Sequence, residues 1–188
     1  MKILIACEFS GIVREEFRKL GHDAWSCDLL PTEIPGQHIQ GDVLSVLDDG
    51  WDLMIAHPPC TRLANSGVRW LHERNLWGDL KFAATFFKEL LDAPIPKKAI
   101  ENPIPHGYAV EIIGRKYDQI IHPWMFGHGE TKATCFWLEE LPLLKPTNIV
   151  EGRYPRVWLE SGSKNNPKWK RRSRTYLGIA KAMADQWG

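Results

Sequence analysis

The sequence predicts a doubly wound α/β fold built on a mostly parallel sheet. Short apolar runs of strand length alternate with segments whose apolar residues recur at helical spacing. One run, Leu53 to Ala56, is apolar throughout, as a strand covered on both faces must be. The candidate reactive residues all fall just after such runs, and sheets of this kind bind ligands beyond the carboxyl ends of their strands.

The elements follow in order. Ile3 to Cys7 reads as a strand and Ser10-Gly11 as a turn; Ile12, Val13, Phe17 and Leu20 then form a helical stripe that Gly21 stops. Ala24 to Leu30 reads as a second strand ending near Asp28, His38 to Val43 as a short third, and Leu53 to Ala56 as a buried fourth. Thr61 to Gly78 has no single period and reads as a functional loop. Leu80, Ala83, Ala84, Phe87, Leu90 and Leu91 predict a helix ended by Pro94-Ile95-Pro96, ahead of a strand leading to Glu101. Tyr117 to His122 and Thr134 to Leu138 supply two more strands, and Tyr176 to Trp187 a last helix. No internal repeat is visible.

At 188 residues, with 44% hydrophobic and 25% charged residues, the chain suits one globular domain. No segment reaches the roughly 18 uninterrupted apolar residues of a membrane span. Met1-Lys2-Ile3-Leu4 runs straight into a strand, which predicts no signal peptide, no membrane partner and a cytoplasmic location. Cys7, Cys27, Cys60 and Cys135 are widely spaced with no C-x-x-C pair, which argues against a disulfide framework and a zinc site. Net charge is +1, but Lys164, Lys168, Lys170, Arg171, Arg172 and Arg174 cluster in one stretch. With Trp158 and Trp169 that stretch suits phosphate tracking and base stacking, or else a solvated loop.

Two Pro-rich turns carry the chemistry. Pro58-Pro59-Cys60 presents a thiol after the fourth strand, its approach stiffened by the prolines. A free thiol has a pKa of about 8.5, so attack at neutral pH needs a nearby cation, for which Arg62 is a candidate, or help from the substrate. Glu101-Asn102-Pro103 presents a carboxylate after the next strand. Thiol and carboxylic acid together suit a pyrimidine, where attack at carbon 6 is eased by a proton or hydrogen bond at nitrogen 3. The first turn, Cys7-Glu8-Phe9-Ser10-Gly11, lacks the G-x-G-x-x-G pattern, and Glu8 would repel phosphate, so a phosphate-free nucleoside cofactor fits better. Asp28 suits ribose hydroxyls and Asp42 an adenine amino group, although an Asp at a strand end is commonly a turn or cap residue.

On these motifs the chain resembles the cytosine-5 DNA methyltransferase family, as a compact phage- or bacterial-type member. Pro58-Pro59-Cys60 matches its nucleophile motif, Glu101-Asn102-Pro103 is similar to its Glu-Asn-Val motif, and Phe9-Ser10-Gly11 resembles the start of its cofactor loop. The resemblance spans roughly residues 1 to 140. It implies a Rossmann-like methyltransferase fold with S-adenosylmethionine as cofactor, held by Glu8, Phe9, Ser10, Gly11, Asp28, Asp42 and Pro58. Cys60 would add to carbon 6 of cytosine in DNA, Glu101 would engage nitrogen 3, and carbon 5 would take the methyl group. Arg62, Asn102, Lys132, Lys170, Arg171, Arg172 and Arg174 would be the substrate or DNA contacts, the resemblance implying a phosphate contact for Lys132.

The chain departs from the pattern in places. Val13 and Arg14 stand where the family continues with glycines, and Pro103 replaces a valine. The Tyr176 to Trp187 helix resembles the family's last motif, which packs on the cofactor side. That match puts Arg172 and Arg174 near the donor, where an arginine suits a carboxylated S-adenosylmethionine better than the ordinary sulfonium. We expect a single catalytic domain over residues 1–188, in which 142–176 is a reduced basic recognition segment. Recognition is then minimal, or a second subunit supplies it, as in a homodimer, or the substrate is small. Other readings keep the chemistry on a free pyrimidine nucleotide or RNA, or retain the fold as a non-catalytic DNA- or cofactor-binding protein.

Overall fold

The computed structural model describes residues 1–159 and 168–188. Its centre is a seven-stranded sheet in the order β3-β2-β1-β4-β5-β7-β6. The strands are β1 (Lys2–Ala6), β2 (Asp23–Asp28), β3 (His38–Gln40), β4 (Leu53–Ala56), β5 (Lys97–Pro103), β6 (Gln119–Ile121) and β7 (Thr134–Glu139). The first five are parallel, while β7 runs antiparallel to β5 and β6. Strand order reverses between β1 and β4, which is the switch point where such sheets open a crevice.

Alternate residues of β1 and β4 enter opposite layers. Leu4, Met54 and Ile100 meet Phe87, Leu90 and Trp137 on the face covered by α3 (Trp77–Leu91) and α4 (Gly107–Ile113). Ile3, Ile5 and Ile55 meet Val13 and Phe17 of α1 (Ile12–Lys19) and Ile179 and Met183 of α7 (Leu177–Trp187) on the other. Burial on both faces is why the central strands read as unbroken apolar runs.

The structure departs from the sequence reading in several places, one of them α4, a segment to which no element was assigned. The span read as a loop, Thr61 to Gly78, contains α2 (Val68–Glu73), whose six residues are too few to show a period and whose anchor is the buried Leu71. β5 continues through Glu101 and Asn102 to Pro103, because antiparallel β7 pairs Glu101 with Phe136 and Asn102 with Cys135. Glu101 is therefore held within a strand rather than past its end. The basic stretch contributes α5 (Arg156–Leu159) and α6 (Lys168–Ser173), while Lys164 and the side chains of Trp158 and Lys168 lie outside the described residues. The four cysteines are free, and among the described residues no helix is long and apolar enough to cross a membrane.

Candidate active site

Three adjoining cavities line the carboxyl ends of β1, β2, β4 and β5. One of about 280 Å³ is bounded by Cys60 and Glu101 with Asn102, Lys132 and Arg172. A second, of about 340 Å³, shares His57, Pro59, Cys60, Thr61, Trp169 and Ser173 with it and reaches back to Phe9, Ser10 and Asp28. A third, of about 470 Å³, shares Cys7, Asp28 and Pro59 with the second and is walled by Leu29, Val43, Leu44, Phe82 and Phe86. Pro59 borders all three.

The thiol is placed by backbone geometry. His57 donates its amide to Ala6 and prolongs the β4–β1 ladder, after which Pro58 and Pro59 donate nothing. The Cys60 carbonyl accepts from the amides of Leu63 and Ala64 at 3.0 and 2.9 Å, closing the turn. Asn102, 1% exposed, donates its amide nitrogen to the Pro58 carbonyl at 2.9 Å, so the β5 strand braces the thiol's turn. Asn102, expected at the substrate, thus ties the two motifs together while also lining the Cys60–Glu101 cavity.

Charge is unevenly arranged around that turn. Burial, followed by the Glu101 charge, pushes the Cys60 thiol up, while Lys132 and Arg172 pull it down. Burial would also raise Glu101, but Lys132, His57 and the Thr134 hydroxyl outweigh it and hold the carboxyl below its ordinary value. Lys132 Nζ stands 4.0 Å from Glu101 Oε1, and His57 Nδ1 lies 3.4 Å from Oε2. The site thus favours a protonated thiol beside an ionised carboxylate. Environments that separate two titrating groups in this way mark acid–base partners.

At the turn after β1, Glu8 is buried and its carboxylate accepts from the Ser10 hydroxyl at 2.9 Å and the Val13 amide at 2.8 Å. Gly11, at φ 77°, makes the left-handed turn into α1, and a Cβ there would meet the Arg14 guanidinium and Ile34. Asp28 and Asp42 each use one carboxylate oxygen on their own turn, accepting from Leu30 and Leu44 amides at 2.9 and 3.0 Å. Among the described residues their second oxygens make no hydrogen bond. Pro58 borders the Cys60–Glu101 cavity, and its carbonyl is taken by Asn102.

The basic candidates divide. Arg62 is held by Asp79 at 3.1 Å, so the cations acting on the thiol are Lys132 and Arg172. Lys132, expected at phosphate, stands beside Glu101 instead. Arg174 is gripped by both oxygens of Glu33 at 2.8 and 2.9 Å. Lys170 lies over the rings of Phe9 and Trp169, and Arg171 is exposed on α6. Sequence reasoning gave no site role to Ser173, Phe82, Phe86, Thr134 or His57. Only His57, adjoining the Pro-Pro-Cys motif, carried a signal that could have found it.

No protein-family model matches the chain, and no curated protein matches it by sequence. Solved structures do. A protein encoded within an E. coli prophage and named a DNA modification methyltransferase superposes with a TM-score of 0.51 at 14% identity, over 79% of this chain and 51% of that one. The methyltransferase EhMeth of Entamoeba histolytica gives 0.48 at 13% identity, over 87% and 60% of the two chains. The Dnmt2 methyltransferase of S. pombe gives 0.47 at 13% identity, over 88% and 56%. The chain thus spans about half the length of the first of these, and what it shares with it is the fold.

Proposed function

We propose that this chain is an S-adenosylmethionine-dependent methyltransferase that modifies carbon 5 of cytosine in DNA. One observation carries the reading: Cys60 and Glu101 face a single cavity that adjoins, along His57 and Pro59, a cavity suited to a nucleoside donor. The structural likeness to proteins named as methyltransferases supports the same class.

The donor side fits a nucleoside without phosphates. The apolar cavity walled by Leu29, Leu44, Phe82 and Phe86 suits a purine ring, with Asp42 toward its amino group and Asp28 toward the ribose hydroxyls. When bound, the cofactor supplies an electrophilic methyl carbon. The chain's own residues make carbon 5 nucleophilic. Cys60 bonds to carbon 6, breaking the 5,6 double bond and placing electron density on carbon 5 and the ring. The thiol proton lost and the nitrogen-3 proton gained balance, with ionised Glu101 mediating between them. Lys132 and Arg172 offset the charge on sulfur as it forms. After carbon 5 takes the methyl group, its proton passes to solvent as the double bond is restored and the Cys60 thiolate leaves, and nitrogen 3 returns its proton to that thiolate through Glu101.

The ordinary donor fits better than a carboxylated one, because Glu33 already occupies the Arg174 guanidinium. Residues 1–188 act in this reading as one catalytic domain, with recognition drawn from 142–176. The test is a trap: DNA containing 5-fluorocytosine, with S-adenosylmethionine, forms a covalent adduct that Cys60→Ser abolishes and Glu101→Gln slows at least about 100-fold. No adduct on any cytosine-containing DNA, with the donor demonstrably bound, overturns the reading.

A further inference from the structure

Four described tryptophans carry a cation over the ring, and three of them stand around the catalytic edge. Trp70, on α2 just past Cys60, is held between Arg69 and Arg74, each guanidinium 4.2 Å from the ring centre. Trp124 follows β6, whose last residue pairs with Thr134 opposite the end of β5, and Arg153 lies 3.9 Å over it. Trp169 borders both the thiol and donor cavities, with Lys170 at 5.8 Å. The fourth, Trp51 with Lys2, precedes β4 and β1 at the opposite edge.

These cations differ from those that carry a carboxylate partner. Arg62, Lys98, Arg115, Arg156, Arg174 and Lys181 are each paired to a carboxylate. Among the described residues no carboxylate pairs with Arg69, Arg74, Arg153 or Lys170; aromatic rings hold them, joined at Arg153 by the Val150 and Gly152 carbonyls, and no carboxylate neutralises their charge. Beside them is an aromatic cluster left open to solvent. Trp77 and Tyr108, 40% and 41% exposed, meet edge to face at 5.1 Å, and His72 joins both. Trp169 is 48% exposed. Unpaired cations interleaved with open aromatic faces suit a phosphate backbone whose bases are free to stack. Bases inside a duplex offer no such faces, and a duplex cytosine would first have to leave its stack.

Resting on the reading of the Cys60–Glu101 cavity as a cytosine site, we propose that its substrate is single-stranded DNA. The backbone is tracked by Arg69, Arg74, Arg153 and Lys170, and the bases flanking the cytosine stack on Trp77, Tyr108 and Trp169.

Fluorescence anisotropy with the full-length Cys60→Ser chain tests this without donor or chemistry. A labelled cytosine-containing strand, its duplex and the same sequence as RNA are the probes. The single DNA strand binds tightest, and four phosphate contacts weaken it about fifty-fold between 50 and 200 mM salt. Combined Arg69→Gln, Arg74→Gln and Arg153→Gln substitutions, all exposed, flatten the log–log salt slope by about 2. Tyr108→Ala weakens binding about fivefold or more by removing a stacking face. Lys116→Gln, exposed at the opposite edge, changes neither. Equal or tighter binding of the duplex or the RNA, or binding untouched by these substitutions, overturns the proposal. Because no adduct is needed, failure here is distinct from failure of the methyl-transfer reading: a duplex that still traps on Cys60 would refute only the single-strand assignment.

Discussion

Replacing Lys132 by Gln tests the electrostatics of the site most directly. Its ammonium stands 4.0 Å from the Glu101 carboxylate, and the two side chains are 18% and 17% exposed, so solvent screens the pair only partly. At an effective dielectric of about 20 the attraction is roughly 4 kcal/mol, an upper value because part of it offsets desolvation. If half reaches the transition state, the loss is roughly 30-fold in adduct formation. The direction with pH is fixed as well. Lys132 lowers both Glu101 and Cys60, so its removal raises both, and the alkaline limb of adduct formation, set by the thiol, moves to higher pH. The assay is the single-turnover rate of adduct formation on 5-fluorocytosine DNA from pH 6 to 10, on the wild type, Lys132→Gln and Lys132→Arg. Arginine keeps the charge and should restore most of the rate. An unmoved profile with a weaker salt dependence of DNA binding would return Lys132 to a phosphate-contact role and refute the argument.

Four other outcomes are expected. Asn102→Ala frees the Pro58 carbonyl from its 2.9 Å bond and should slow adduct formation by about tenfold or more, with donor affinity, read by calorimetry, unchanged. Glu33→Gln releases Arg174, and the ratio of carboxylated to ordinary donor use should rise about tenfold; an unchanged ratio would remove Arg174 from the donor's surroundings. Burial pushes the Cys27 thiol up to about 11 from 9.0, so the folded state holds this proton more tightly than the unfolded chain. That stabilises the fold by roughly 3 kcal/mol below pH 9 and is lost as pH rises from 9 to 11, so Cys27→Ala should flatten the fall in urea midpoint over that window. A Cβ at Gly178 would lie 1.9 Å from the Phe126 carbonyl oxygen, so Gly178→Ala should destabilise by about 1–3 kcal/mol and lower Tm by roughly 2–12 °C.

Legibility in the sequence tracked how local the cause was. β4 reads directly because each of its four residues is buried on one face or the other, and α1 because Val13 and Phe17 recur on a face that meets α7. Cys60 stood out through two prolines beside it. The extent of β5 was hidden because Glu101 and Asn102 stay in the ladder only through Phe136 and Cys135, more than 30 residues away. The place of Lys132 beside Glu101 was hidden for the same reason: nothing within its own segment indicates that the turn into β7 carries it back there. Arg62 and Arg174 were read as available cations, yet Asp79 and Glu33, distant in sequence, neutralise them. Composition exposes a cation; only the fold assigns its partner.

The first turn shows how a departure from a motif becomes a statement about the ligand. A helix amino terminus leaves amides unpaired and attracts an anion, which in dinucleotide sites is the pyrophosphate. Here the chain provides that anion itself. Glu8 accepts from Val13 at 2.8 Å and, at 3.4 Å, from Arg14, while Ser10 steadies the same carboxylate. Arg14, fully buried where a glycine was expected, then reaches the Ser26 hydroxyl at 2.9 Å and the Ile34 carbonyl at 2.6 Å, binding α1 to the segment between β2 and β3. A phosphate brought to this turn would meet a buried carboxylate already holding the amides it needs. The absent glycines and the internal carboxylate therefore point the same way, toward a donor whose nucleoside carries no phosphate.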